Sequence, residues 1–289
     1  MIDQASELRK LASARAAKPA TVITVTSGKG GVGKSSVALN MGIALSRKGR
    51  RVLIIDTDFG FSNIDVMLGV STKHDLMDVI NRNMDIRDII EQGLGGVQFI
   101  SGGSGVYELT QIKGDQVSGL IENLKNLEGV ADTIIFDTGP GVSENNLRLI
   151  YASHQTVMVT TPEPTSVVDA YALIKIIGEQ GDGASVSLVI NKADNAAEAA
   201  TVMDCITRMA EKNMNMKIDK LGYILRDANM QKAIRMQVPI LVSFPGCAAS
   251  MNIESLAGRL IKSPAQQPER RGIKSFLERF LTRSAAFPG

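Results

Sequence analysis

The stretch Val25 to Ser36, VTSGKGGVGKSS, holds the residues of this chain best suited to chemistry. Gly28, Gly33, Lys34 and Ser35 satisfy the pattern G-x-x-x-x-G-K-[ST]. Glycines let backbone N–H groups approach phosphate oxygens, the Lys34 ammonium can reach the terminal phosphates, and the Ser35 hydroxyl can ligate Mg2+. Gly30, Gly31, Val32 and Ser36 complete the cradle. Lys29 adds a second positive charge at the mouth of the loop, one more than a phosphate cradle needs. The context fits the pattern: the β-branched run TVITVT precedes the loop and an amphipathic helical pattern follows it.

Phosphate chemistry also needs carboxylates. Asp137 ends the buried run DTIIFD, where a carboxylate can hold Mg2+ directly or through water. Asp56 and Asp58, in LIIDTDFGFSNID, leave another strand on the same side of the sheet, and either could orient the attacking water. The residues alone do not choose between them. VINKADN contains Asn191-Lys192-Ala193-Asp194, an N-K-x-D sequence whose aspartate reads guanine in GTPases. Asn191 is a base-contact candidate, and Asp194 is otherwise a cap for the next helix.

The elements that must position these groups alternate along the chain. Apolar runs at 21–26, 51–56, 97–101, 132–137, 156–161, 185–191 and 220–225 read as strands. Helical patterns fall at about 34–48, 114–127, 144–152, 165–179, 196–213, 228–236 and 247–262. Continuous apolar strands separated by helices predict an α/β fold, a mostly parallel twisted sheet flanked by helices, with ligands at the carboxyl ends of the strands. At 289 residues the chain has room for one large domain and tails. The charges nearly balance, 32 basic against 30 acidic, so no general affinity for nucleic acid is expected. Two cysteines, Cys205 and Cys247, and two histidines, His74 and His154, argue against a disulfide framework, a zinc site or a His-based triad. The polar opening DQASELRK and the lack of a long apolar run argue against a secretory signal and a membrane span, and a reducing cytoplasm fits best.

Together these residues resemble the deviant Walker-A ATPases of the MinD/ParA group, whose loop reads K-G-G-x-G-K-[ST], here Lys29 to Ser35. The resemblance covers about residues 20–262. It takes in DTDFGFSNIDVMLG (56–69) as a first switch segment and DTGPG (137–141) as a second. It implies a P-loop NTPase fold, bound ATP and Mg2+, and slow hydrolysis that depends on dimerisation. It further implies that Lys29 reaches across a nucleotide-sandwich homodimer to the partner's phosphates, that Asp58 serves hydrolysis, and that Asp56 joins Ser35 and Asp137 around the metal. ATP is favoured over GTP on the signature lysine and both switch segments.

The tails extend the resemblance. Residues 263–269, SPAQQPE, read as a linker, and 270–289 as an amphipathic tail. Ile273, Phe276, Leu277, Phe280 and Leu281 form one apolar stripe among basic residues, suited to an anionic membrane surface and similar to the MinD membrane-targeting helix; a helix packed on its own domain is the other reading. Residues 1–18 read as a short polar helix before the ATPase domain at 19–262. Asp3 to Arg9, DQASELR, resembles the N-terminal element of FlhG-type proteins (YlxH, FleN), relatives of MinD that control flagellar number and placement. That resemblance implies stimulation of an FlhF-type GTPase, with Gln4 near the partner's nucleotide, Asp3 as helix cap, Leu8 as apolar anchor and Arg9 beside it. It extends the partners to flagellar switch (C-ring) proteins or a flagellar transcription regulator, and implies a peripheral location on the inner face of the cell membrane. The alternative is a ParA-type DNA-partitioning ATPase, which would present a basic surface to nonspecific DNA. A metal-cluster carrier would need interface cysteines in a C-x-x-C arrangement, and Cys205 and Cys247 do not form one.

Overall fold

The computed structural model describes residues 19–58, 63–82, 84–102, 123–179, 184–262 and 272–284. The N-terminal element with Asp3, Gln4, Leu8 and Arg9, the linker, and most of the helical pattern at 114–127 lie outside them.

Strands β1 (Thr21–Thr26), β2 (Val52–Thr57), β3 (Glu91–Gln92), β4 (Gln98–Ile100), β5 (Thr133–Thr138), β6 (Gln155–Thr160), β7 (Val186–Ala193) and β8 (Asp219–Leu225) form one sheet in the order β3-β4-β2-β5-β1-β6-β7-β8. All neighbours are parallel except β3, which runs antiparallel to β4 at the edge. Every residue of β2, β5 and β6 is buried, as strands covered on both faces require. Alternation sorts their side chains: Ile135 of β5 belongs to the core on one face, Ile134 and Phe136 to the core on the other. Among the described residues, the expected strands and the helices expected at 34–48, 144–152, 165–179, 196–213, 228–236 and 247–262 are present, with ends shifted by two residues or fewer.

One face is covered by α1 (Lys34–Arg47), α7 (Ala228–Met236), α8 (Ile240–Ser243) and α9 (Ala248–Lys262). Under β6 and β7 lie α5 (Pro164–Glu179) and α6 (Ala196–Met214). The chain between β2 and β4 adds two short helices not anticipated from the sequence, α2 (Ile64–Leu68) and α3 (Leu76–Arg82). They are too short for a helical period to show in an 11-residue window.

The second face holds α4 (Glu144–Ala152) and, packed against it, the C-terminal helix α10 (Ile273–Ser284). The stripe expected to face a bilayer is here turned inward: Ile273, Phe276 and Leu277 are buried, and Phe280 is half-buried against the same core. The physical reason is a matching apolar trough. Phe276 stacks on Phe136 with ring centroids 5.2 Å apart, and Leu149 and Ala152 of α4 complete the wall. Polar contacts fix the ends: the Ile273 N–H donates to Glu128 Oε2 at 3.1 Å, and Arg279 donates to the Ser153 carbonyl at 3.2 Å. Full burial of each large apolar side chain contributes about 1.5–3 kcal/mol. Of Leu281 only the backbone is described. No helix among the described residues is long and apolar enough to cross a membrane.

Candidate nucleotide site

The phosphate loop leaves β1 at its carboxyl end and turns directly into α1. Gly33 sits at the helix cap with φ 90° and ψ 23°, and a Cβ there would meet Asn191 Nδ2 at 2.4 Å, so only glycine fits. A Cβ on Gly28 would meet the Asp169 carbonyl oxygen of α5 at 2.3 Å. No side chain caps the first turn of α1 and no acidic residue stands in it. Its N–H groups and the positive end of its dipole are therefore left for an anion.

The loop is braced from β7. Asn191 donates from Nδ2 to the Val32 carbonyl at 2.8 Å, and Lys192 Nζ donates to the Gly31 carbonyl at 2.7 Å. Lys192 reaches the loop because its backbone is left-handed, φ 57°, where the β7–β8 register is irregular. Such a conformation in a non-glycine residue marks local strain held by its surroundings.

Parallel register brings the carboxylates together. Asp56 of β2 and Asp137 of β5 are paired residues on adjoining strands, so both stand at the edge beside the loop. Lys34 Nζ lies 2.8 Å from Asp137 Oδ1 and 3.9 Å from Asp58 Oδ2, with only 7% of its side chain exposed. Asp137 is wholly buried, and its Oδ2 has no hydrogen-bond partner among the described residues. Burial pushes the Asp137 pKa up, with the Lys34 ammonium opposing. A buried carboxylate oxygen left without a donor, next to the Ser35 hydroxyl of the loop, suits a hard cation with oxygen ligands.

Asp56 is committed differently. Its Oδ1 accepts the Asp58 N–H at 2.9 Å, and its Oδ2 accepts the N–H groups of Asn63 at 2.8 Å and Ile64 at 3.2 Å. The carboxylate thus ties Asp58, Asn63 and Ile64 of the first switch segment to the end of β2. Burial, and secondarily the charge of Asp137, push its pKa up to about 6 against the pull of these donors. Asp58 is less enclosed; burial raises its pKa and Lys34 opposes. Asn63 donates from Nδ2 to Asp58 Oδ2 at 3.1 Å, fixing the carboxylate at the cavity wall. In the second switch segment, Asn146 of α4 donates to the carbonyls of Gly139 and Gly141 at 3.0 and 3.2 Å, and the Gly141 N–H donates to Ser27.

Lys29 does not join this group. Its ammonium turns to the rim, 2.6 Å from Thr165 Oγ1 and 3.7 Å from Glu163 Oε2, with 38% of the side chain exposed.

A cavity of about 770 Å³ runs from Lys34, Ser35 and Asp58 to Asn191, Lys192 and Arg226, with Val66, Met67, Met230 and Ile234 on its outer wall. Of the sequence candidates, Lys29, Gly30, Gly31, Gly33, Lys34, Ser35, Ser36, Asp58 and Asn191 line it. Asp56 and Asp137 lie behind Lys34. Asn63, Lys192 and Arg226 are among the lining residues that had no assigned role. Asn63 and Lys192 stand inside the quoted motifs, whereas nothing in the sequence marks Arg226. One expectation is corrected. Asp194 does not cap α6; Asn195 does, accepting the Glu198 N–H at 2.9 Å, while Asp194 pairs with Arg226. Asp227 also lines the cavity, and its carboxylate accepts the N–H groups of Asn229 and Ala249.

A glycine loop between a central parallel strand and an uncapped helix, with a buried lysine and carboxylates at the strand ends, defines a P-loop NTPase. Residues 18–261 match the ParA family model, described as NUBPL iron-transfer P-loop NTPase. The chain belongs to this family and is a MinD-like ATPase. It is 31% identical to the antiactivator FleN of Pseudomonas aeruginosa, over 92% of this chain and 95% of that protein. It is also 31% identical to the flagellum site-determining protein YlxH of Helicobacter pylori, over 90% and 89%. The septum site-determining protein MinD of Pyrococcus horikoshii, solved with Mg-ADP, shares the fold at a TM-score of 0.69 and 21% identity, over 86% of this chain and 99% of that one.

Proposed function

We propose that this chain couples ATP binding to self-association and membrane attachment, and through them regulates the number and placement of flagella. The observation that carries the reading is the position of Lys29. A lysine held at an exposed rim, away from its own phosphate cradle, is placed to add charge across an interface, as an arginine finger does in trans. Lys34 and the N–H groups of the loop hold the phosphates, and Asn191 contacts the base. Ser35 and Asp137 would hold Mg2+, with Asp56 behind them in the same shell of charge, and the ion would supply neutralisation of phosphate charge. Asp58, oriented by Asn63, accepts a hydrogen bond from the attacking water. Hydrolysis waits for the partner's lysine, which makes it slow and dimer-dependent.

Association with flagella is supported by the relatives FleN and YlxH and by the DQASELR element. Residues 1–18 are assigned the stimulation of an FlhF-type GTPase, with Asp3, Gln4, Leu8 and Arg9 in contact. The docked α10 gives the membrane step an off state: the side chains that would enter lipid are those now buried against Phe136 and α4. Two copies on a dimer would bind with avidity where one copy binds weakly.

Size-exclusion chromatography with ATP and Mg2+ tests the core of this reading. Wild type and Asp58→Ala are compared, and a trapped dimer is expected in the variant; a monomer under every nucleotide condition overturns it. For the membrane step, sedimentation with anionic vesicles should show ATP-dependent binding that Lys274→Glu weakens. Lys274 is exposed, so that change leaves the docked core alone. A peptide of residues 1–18 should stimulate the cognate GTPase and lose this with Gln4→Ala.

A further inference from the structure

We propose that Arg226 sets the base specificity of this pocket, by holding the Asp194 carboxylate away from the place where an N-K-x-D aspartate reads guanine. The inference deepens the ATPase reading and rests on the nucleotide pocket alone, independent of dimer and membrane.

The sequence Asn191-Lys192-Ala193-Asp194 carries the side chains of a guanine reader, and three observations show how each is used. Asn191 and Lys192 are committed to the phosphate loop, bonded to the carbonyls of Val32 and Gly31 at 2.8 and 2.7 Å. Asn191 keeps its Oδ1 for a base, and Asp194 is the member that would accept the paired guanine donors. Its Oδ1 instead accepts from Arg226 Nε at 2.8 Å, while its backbone N–H donates to Glu198 Oε2 at 2.7 Å. Arg226 lies just past the end of β8, and its N–H donates to the Ala193 carbonyl at 2.8 Å, so the two strand ends are stitched at this point.

The outcome is an exchange of chemistry at the far end of the cavity. Arg226 lines it and Asp194 does not. Phosphates occupy the loop end, so the base of a bound nucleotide extends toward Asn191 and Arg226. A guanine there offers N1–H and N2–H₂ donors, which the aspartate of an N-K-x-D sequence accepts; with Asp194 held by Arg226 that acceptor is withdrawn and the donors lose their partner. Adenine has no N1–H and N2–H₂ pair and does not depend on that acceptor. Asp194 and Arg226 are each more than 60% exposed at the side chain, so separating them spares the fold.

The test is equilibrium competition between ADP and GDP, with Mg2+, for the full chain. Wild type should prefer ADP by about tenfold or more, the size of one well-formed polar recognition pair. Arg226→Ala should shift the ADP to GDP preference toward guanine by about three- to fivefold, the worth of an ion pair as exposed as this one. Adding Asp194→Asn to that variant should return the preference toward adenine, because the freed acceptor is then lost. The proposal is overturned if wild type binds GDP as well as ADP, if Arg226→Ala leaves the ratio within about twofold, or if Asp194→Asn does not reverse the shift. Failure of ATP-dependent dimerisation would sink the reading above without touching this ratio, which is read from nucleotide affinity alone.

Discussion

Lys34 and Lys29 belong to one loop and occupy opposite electrostatic worlds. Lys34 is enclosed among Asp137, Asp58 and the loop, 7% exposed, at 2.8 Å from a carboxylate that has lost all contact with water. Lys29 lies over the surface, on the hydroxyl of Thr165 and near Glu163, both reachable by solvent. Charges pair strongly where water is excluded and weakly where it is not. A group serving its own site can therefore be locked in place, whereas one that must change partners is held by contacts that cost little to exchange. The same loop supplies both because its backbone turns sharply between them, at Gly31 and Gly33.

The contrast can be broken or sharpened by experiment. Lys34→Ala should weaken Mg-nucleotide affinity by on the order of a hundredfold or more, since it removes charge-assisted bonds and leaves Asp137 buried without its ammonium; isothermal titration reads this directly. Lys29→Ala should leave that affinity within about threefold while ATP-dependent dimerisation, followed by light scattering, falls at least about tenfold, the range of effect of a charge supplied in trans. If both variants lose affinity alike, the two lysines do not differ as described.

The buried end should also carry a cost that the rim does not. With the folded pKa of Asp56 raised to about 6 from 3.8, the folded protein binds more protons than the unfolded chain between those values. Its contribution to stability is complete below pH 4 and is lost as pH rises through 6. Asp56→Asn should therefore gain about 1–2 kcal/mol over wild type at pH 7 in EDTA and nothing at pH 4, measured by denaturant unfolding. The full linkage is reduced because one amide oxygen cannot serve all three N–H groups. The smallest effect is expected at the rim. Thr165→Val removes the acceptor that holds Lys29 and should change the ATP concentration needed for half-dimerisation by about two- to threefold, in keeping with one exposed hydrogen bond.

Much of this was legible in the sequence. Doubly buried strands write themselves as continuous apolar runs, so β2, β5 and β6 were plain, and the loop motif with its flanking strand and helix located the site. What escaped had physical causes. Arg226 could not be foreseen because its partner Asp194 lies 32 residues away and the two meet only when β7 and β8 pair. Asn63 acts through Asp58, and a positioning amide leaves no pattern. The stripe on α10 was seen correctly as a stripe, but a lipid surface and a protein trough ask for the same residues. Helix periodicity cannot distinguish them.

That docked helix has one more consequence. Whatever draws α10 away must compete with the chain's own interior and not merely with water, so any attraction of the tail to a vesicle would be its intrinsic attraction multiplied by the fraction of molecules already open. The same twelve residues fused to an inert carrier, with no trough to return to, should bind vesicles more tightly than they do in their native chain. By the same reasoning, deleting them does not yield a quiet monomer. It bares Phe136 and its neighbours, and a truncated protein should prove sticky in ways that have nothing to do with nucleotide.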